Sequence, residues 1–424
     1  MKRAVVLVVA LLFSALACTV SSGSTFAGSS EDQTENTWEI MASMPKAGNY
    51  KAAVVNGKIY ILGTNFGPYE YDPATDMWTA KNPKPTSGYF AVAAFQNKIY
   101  AFGKTTEIYD PETDMWETNK TVMPTVRREM EANVVNGKIY VIGGDLADVI
   151  FPIVISSVTE VYDPATDSWV TAASIPYGVR LYASAVVDGK IYVIGGEYDY
   201  GGSTFNQIYD AENDTWSQGA PVPVNTWGAA AGATTGVKAA KRIYVVGGEG
   251  GFGEPLSLNL VYDPQMDTWI NGSSLPTARI CPTVAVVDDS IYVIGGGMTA
   301  AVERYTPFLF PVVSVSSPEE KTYNAEEVSL NFVVNEQVSW VGYSLDGQDN
   351  VTVVGNMTLT GLQDGAHSLM VYAEDVMGDI GASSMVYFSV SIDGIPEFSS
   401  FSTLLFFMIA TLLISVVYFK KCNR

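Results

Sequence analysis

One string recurs through most of this chain. Ile-Tyr, followed by apolar residues and Gly, appears six times, at Ile59-Tyr60, Ile99-Tyr100, Ile139-Tyr140, Ile191-Tyr192, Ile243-Tyr244 and Ile291-Tyr292. The steps between the tyrosines are 40, 40, 52, 52 and 48 residues. A second string, Tyr-Asp and then Trp, follows five of the six, at Tyr71 and Trp78, Tyr109 and Trp116, Tyr162 and Trp169, Tyr209 and Trp216, and Tyr262 and Trp269. In the sixth, Tyr305 leads into Thr306-Pro307 and no Trp follows in the unit. A repeat of this length is one supersecondary unit that buries its apolar faces only against its neighbours.

Each unit reads as four short strands. In the third, 130–135 runs to the turn Asn136-Gly137, 138–142 ends at Gly143-Gly144, 158–162 precedes a turn over 163–167, and Trp169 opens the last strand. Asn-Gly between apolar runs signals a hairpin, because both residues tolerate positive φ. Asp-Pro opens the second turn by fixing φ and capping the backbone. The paired Gly after the second strand, Tyr-Asp in the third and Trp opening the fourth resemble the kelch repeat, over about 38–308. Units one and two depart from it, with Gly63 and Gly103 unpaired. The resemblance implies an all-β, six-bladed kelch β-propeller over 37–308. A propeller must close or leave strand edges unpaired. Trp38 stands in Thr37-Trp38-Glu39-Ile40-Met41 with no Tyr-Asp before it, and the last unit lacks a Trp strand. The N-terminal segment is therefore expected to be the outer strand of the last blade.

The ends suggest a compartment. Lys2-Arg3, an apolar run over 4–17 and Thr25-Phe26-Ala27 read as an export signal over 1–27, followed by a linker over 28–36. Ala15 stands where a lipobox usually has Leu, which disfavours a lipid on Cys18. The uncharged run 401–419 would span about 28 Å as a helix. The basic tail 420–424 would keep that end cytoplasmic. Pro396-Glu397-Phe398, within the linker 394–400 ahead of that span, resembles the PEF-type sorting signal of archaeal surface proteins. That resemblance implies processing by an archaeosortase-like enzyme.

Pro307 to Pro311 break the repeat, and 312–393 shows alternating strands at 328–334, 340–345, 350–354, 369–373 and 385–390. Short strands at this spacing suggest a β-sandwich. The stretches YSLDG, Asn356-Met357-Thr358 and Gly365-Ala366-His367-Ser368-Leu369 resemble immunoglobulin-like surface modules. Acceptor motifs for N-glycans stand at Asn119, Asn213, Asn271, Asn350 and Asn356.

Hydrophobic residues make up 47% of the chain and the net charge is −21, which argues against disorder and against a nucleic-acid partner. Binding concentrates in long loops on rigid scaffolds, here 145–157, 197–206 and 249–258. Counting back from each Ile-Tyr places Asn49-Tyr50, Tyr89-Phe90, Arg127-Arg128, Arg180, Trp227 and Arg279 at the channel mouth on that face. Guanidinium forks suit carboxylates and aromatic faces suit sugars or peptides. The alternative pairs these arginines with loop acids such as Asp145, Glu197 or Glu249. No cofactor is expected. The copper site of galactose-oxidase-type kelch enzymes needs histidines, and the one His, His367, lies outside the repeats. A sialic-acid-epimerase-like enzyme would use Arg128, Arg180 and Arg279 as a clamp, with Glu129 or Glu197 as base. The favoured expectation is a cell-surface binding or adhesion protein whose ligand is a carbohydrate, a protein or an acidic peptide. The competing ones are that carbohydrate-modifying enzyme and a structural envelope component.

Overall fold

The computed structural model describes residues 35–392, apart from 64–66, 148–151, 251–252, 298 and 376. The expected export signal, the Pro396-Glu397-Phe398 motif and the 401–419 span lie outside the described residues. Among the described residues, no helix is long and apolar enough to cross a membrane. All regular structure there is β-strand. Gln33–Phe310 forms one compact unit, and the residues from Pro311 belong to another.

The first unit holds six four-stranded antiparallel sheets. In the third, Glu131–Val135, Lys138–Ile142, Thr159–Asp163 and Ser168–Ala172 follow one another outward. The innermost strands, Tyr50–Val55, Ala91–Phe95, Glu131–Val135, Ala183–Val187, Trp227–Ala233 and Thr283–Val287, neighbour one another in turn, and the last returns to the first. The unit is a closed six-bladed propeller. Its sixth sheet takes Thr37–Met41 as the outermost strand, antiparallel to Val302–Thr306, with Trp38 opposite Tyr305.

The repeat residues fasten blade to blade. The hydroxyls of Tyr71, Tyr109, Tyr162, Tyr209 and Tyr262 donate to Asp76, Asp114, Asp167, Asp214 and Asp267 at 2.6–2.7 Å. Each of these aspartates adopts a left-handed φ of 49–55°. Each also accepts the amide of a residue beyond its own blade, as Asp167 does from Thr121 at 3.0 Å. The Trp two residues later donates its indole N–H to a carbonyl of the same segment, as Trp169 does to Thr121 at 3.1 Å. At the closure Asn36 takes the place of Asp. Its side-chain oxygen accepts Tyr305 and the Ser273 amide, both at 2.7 Å, and Trp38 donates to the Ser273 carbonyl at 2.8 Å.

These latches carry a pH dependence. Burial pushes the Asp114 and Asp167 carboxyls up, but the tyrosine hydroxyl and a backbone amide outweigh it and hold both below the usual range. The Ala220 amide and then Tyr262 do the same for Asp267. A depressed folded pKa contributes stability above the unfolded value, roughly 3.9, and loses it as pH falls through the folded one. The thermal midpoint is expected to be flat above about pH 5 and to drop below about pH 4. A triple Tyr109→Phe, Tyr162→Phe, Tyr262→Phe variant should show a shallower drop. Equal drops in calorimetry would remove the latches as its cause.

In the second unit, Val313–Ser317, Val328–Val334 and Met357–Leu359 form one sheet. Thr322–Tyr323, Val386–Val390, Gly365–Glu374, Trp340–Leu345 and Val351–Thr352 form the other, with Ile380–Ala382 beside Gly365–Glu374. Leu330, Phe332, Leu359, Leu369, Val371 and Phe388 share one core between them, making a β-sandwich. The strand expected over 350–354 is only Val351–Thr352, and the one expected over 369–373 is Gly365–Glu374. His367 lies within that longer strand, its Nδ1 2.8 Å from Asp346 and its ring stacked on Phe388. The five candidate glycan acceptors are exposed.

Candidate functional site

At the channel mouth on the long-loop face lies a cavity of about 400 Å³. Six lining residues, one per blade, hold equivalent places: Asn49, Tyr89, Glu129, Leu181, Gly228 and Cys281. Five of them stand 11 residues before the Tyr of Ile-Tyr, and Gly228 stands 16 before it because 234–242 lengthens that hairpin. Glu129, Leu181, Gly228 and Cys281 take φ of 54, 52, 64 and 51°. This conformation costs a non-Gly residue roughly 1–2 kcal/mol, so the surrounding ring must enforce it. It does so through a relay. The Leu181 amide donates to the Glu129 carbonyl at 3.0 Å, Gly228 to Leu181 at 2.7 Å and Cys281 to Gly228 at 2.7 Å. The glycine pairs add a second belt, Gly144 donating to Val179 at 2.8 Å and Gly196 to Thr226 at 3.0 Å. A Cβ on Gly144, where φ is +81°, would come 2.6 Å from the Arg128 carbonyl.

The left-handed turn corrects the expected ring of arginines. Arg127 and Arg279 point away from the mouth into the blades, 1% and 2% exposed. Arg127 donates to Glu160 at 2.7 Å and to the carbonyls of Gly143 and Val158 at 2.7 and 2.8 Å. Arg279 meets Glu303 at 2.5 Å and the Gly295 and Ala301 carbonyls. Arg128 and Arg180 lie at the rim, in a chain of pairs. Arg128 bonds Asp145 at 2.7 Å, Arg180 lies 3.9 Å from Asp145, and Arg180 bonds Glu197 at 2.6 Å. None of these four arginines lines the cavity, and neither does Trp227.

Of the expected residues, the structure brings Asn49, Tyr50, Tyr89 and Phe90 to the cavity together. Tyr89 is 55% exposed, with the Arg128 guanidinium 5.9 Å above its ring. Lys51, Glu131 and Cys281 were not expected there. Lys51 and Glu131 form an ion pair from blade one to blade three. Burial pulls the Lys51 ammonium down, but Glu131 outweighs it and the pKa is raised. Burial pushes the Glu129 carboxyl above the usual range, against the pull of Lys51. The Cys281 thiol is pushed up to about 11 by burial and then by Glu129. Its thiolate share at pH 8 should be roughly two orders of magnitude below that of a free cysteine. Peptide-resolved alkylation with iodoacetamide is expected to be correspondingly slow at pH 8. A rate equal to that of free cysteine would contradict the environment described.

The Kelch motif matches residues 127–176, 179–223 and 239–276. The propeller is built of kelch repeats. Mouse kelch-like protein 35 is 27% identical over 193 residues, 46% of this chain and 31% of that protein. Beta-scruin of Limulus polyphemus is 28% identical over 52% of this chain and 24% of its own length. Human kelch-like protein 23 is 27% identical over 48% and 35%. The chain thus spans about a third or less of these kelch relatives. The solved structure of YjhT superposes with a TM-score of 0.53 at 21% identity, covering 62% of this chain and 95% of that one, a likeness of fold. Kelch repeat proteins generally mediate protein–protein interaction.

Proposed function

We propose that this chain is a cell-surface binding protein. In this reading 1–27 exports it, 401–419 anchors it, and an archaeosortase-like enzyme acts at Pro396-Glu397-Phe398. The sandwich, read as an immunoglobulin-like spacer, carries a kelch propeller whose channel mouth takes a carbohydrate or peptide ligand. The observation that supports it most is the roughly 400 Å³ cavity edged by Tyr50, Tyr89 and Phe90 and, across it, by the hydrogen-bonded arc through Glu129, Leu181, Gly228 and Cys281. Aromatic edges with a few polar groups in a concave, pre-formed site are the usual makings of small-ligand recognition. An acidic ligand is disfavoured, because Arg128 and Arg180 are already paired with acids.

An epimerase-like activity draws on Glu129, whose raised pKa suits a general acid–base. Among the described residues that line the cavity there is no guanidinium to clamp a substrate carboxylate. The test is the full-length protein, in detergent, on glycan and peptide arrays. Binding that falls at least fivefold in Tyr89→Ala supports the reading. Turnover of a bound sugar would replace it with the enzyme, and no ligand on any array would favour a structural envelope component.

A further inference from the structure

Blades three, four and five carry the same rim position, and they differ there in a telling way. Arg128 is opposite Asp145, Arg180 opposite Glu197 and Trp227 opposite Glu249 in the strand pairing. Directly opposed residues share a sheet face. In blades three and four a guanidinium neutralises the acid, whereas in blade five an indole stands in its place. The Glu249 carboxylate, though 8% exposed, has no hydrogen bond or ion pair among the described residues. The cavity beside it repeats the imbalance. Lys51 is paired with Glu131, and Glu129 makes no ion pair among the described residues, with Lys51 and Arg180 acting on it only at longer range. Glu129 lines the cavity, and Glu249 is set beside it because its partner Trp227 adjoins the lining residue Gly228.

We propose that the mouth binds its ligand through an ammonium group, which enters the recess toward Glu129 and meets Trp227 and Glu249 at the rim. A buried carboxylate without a counter-ion is costly alone and is stabilised by an incoming cation. An aromatic face beside it adds cation–π attraction. An amino sugar and a lysine side chain both offer this group. The inference rests on the binding reading above and narrows its ligand class.

The experiment is calorimetric titration of the full-length protein at low salt with four probes. Two carry the ammonium, glucosamine and Nα-acetyl-lysine amide. Two are neutral counterparts, N-acetylglucosamine and Nα-acetyl-norleucine amide. At least one ammonium probe is expected to bind at least tenfold more tightly than its neutral partner, and which one does distinguishes a sugar from a peptide source. Glu129→Gln should weaken that binding about tenfold, and Glu129→Gln with Glu249→Gln should bring it below detection. The thermal midpoint of Glu129→Gln should be unchanged or higher, because burial of that charge outweighs the pull of Lys51 and Arg180, so lost binding is not lost folding. Equal binding of glucosamine and N-acetylglucosamine, sensitive to Tyr89→Ala, would overturn the ammonium inference and leave the binding reading standing. If none of the four probes binds in the millimolar range, the ammonium inference is overturned, while the arrays decide the broader reading separately.

Discussion

Deletion of residues 36–44 is expected to abolish the cooperative thermal transition of the propeller and to leave it aggregated on gel filtration. That segment supplies Asn36 and Trp38 to the closing latch, and it buries Met41 and Met44 at 8% and 4% exposure. Trp38 packs on Tyr305 with ring centroids 4.9 Å apart. Burying two methionines is worth roughly 2 kcal/mol each, and the ladder and latch hydrogen bonds contribute about 1 kcal/mol apiece. The sum exceeds ~5 kcal/mol, the lower range of a domain's whole stability. The deletion also bares the edge of Val302–Thr306, an unpaired strand that invites association. Milder changes should grade the effect. Asn36→Ala is expected to cost about 1–2 kcal/mol and Asn36→Asp far less, since five blades already use Asp there. A deletion variant that melts like the intact protein would refute this account.

Arg127→Met is expected to lower stability by about 3–5 kcal/mol, more than any substitution at the rim. It strands Glu160, 2% exposed, without its counter-ion, and it removes the donor from the Gly143 and Val158 carbonyls. Breaking one side of a buried pair costs in that range, while replacing both sides with apolar residues is often close to neutral. Arg127→Met with Glu160→Leu should therefore recover much of the loss. Arg128→Met, whose side chain is 21% exposed beside Asp145, should cost clearly less. Chemical denaturation of the three variants decides it. Equal costs at 127 and 128 would put both arginines in the same environment, against the structure.

The difference between these neighbours marks where the sequence stopped being legible. Ile-Tyr, Tyr-Asp and Trp locate strands because their chemistry is local, a β-branched or aromatic run and a turn. Trp38 was readable for the same reason, as a Trp without its Tyr-Asp. The mouth was read one or two residues out of place. Counting back from Ile-Tyr takes no account of Glu129, Leu181 and Cys281, where a left-handed φ changes which side chain faces the channel. Asn and Asp advertise that conformation in sequence, whereas Glu, Leu and Cys do not. A signal was nonetheless present. Glu107, Glu160 and Glu303 stand two residues before the repeat Tyr, each meeting a cation, Lys84, Arg127 or Arg279. Gln207 holds that place in blade four and bonds the Tyr177 backbone instead. A buried acid on the third strand calls for a buried partner, which accounts for Arg127 and Arg279 and leaves Arg128 and Arg180 for the rim.

The ring itself is tested most directly by hydrogen exchange across the segment 37–41, followed by mass spectrometry in the intact protein. Closure by that strand requires those of its amides that face Val302–Thr306 to be protected, and to lose protection together with Ser290–Ile294 and Val302–Thr306 as denaturant is added. Exchange over 37–41 at the rate of an unstructured peptide, with the other two strands still protected, would mean the sixth blade is not closed by the N-terminal segment.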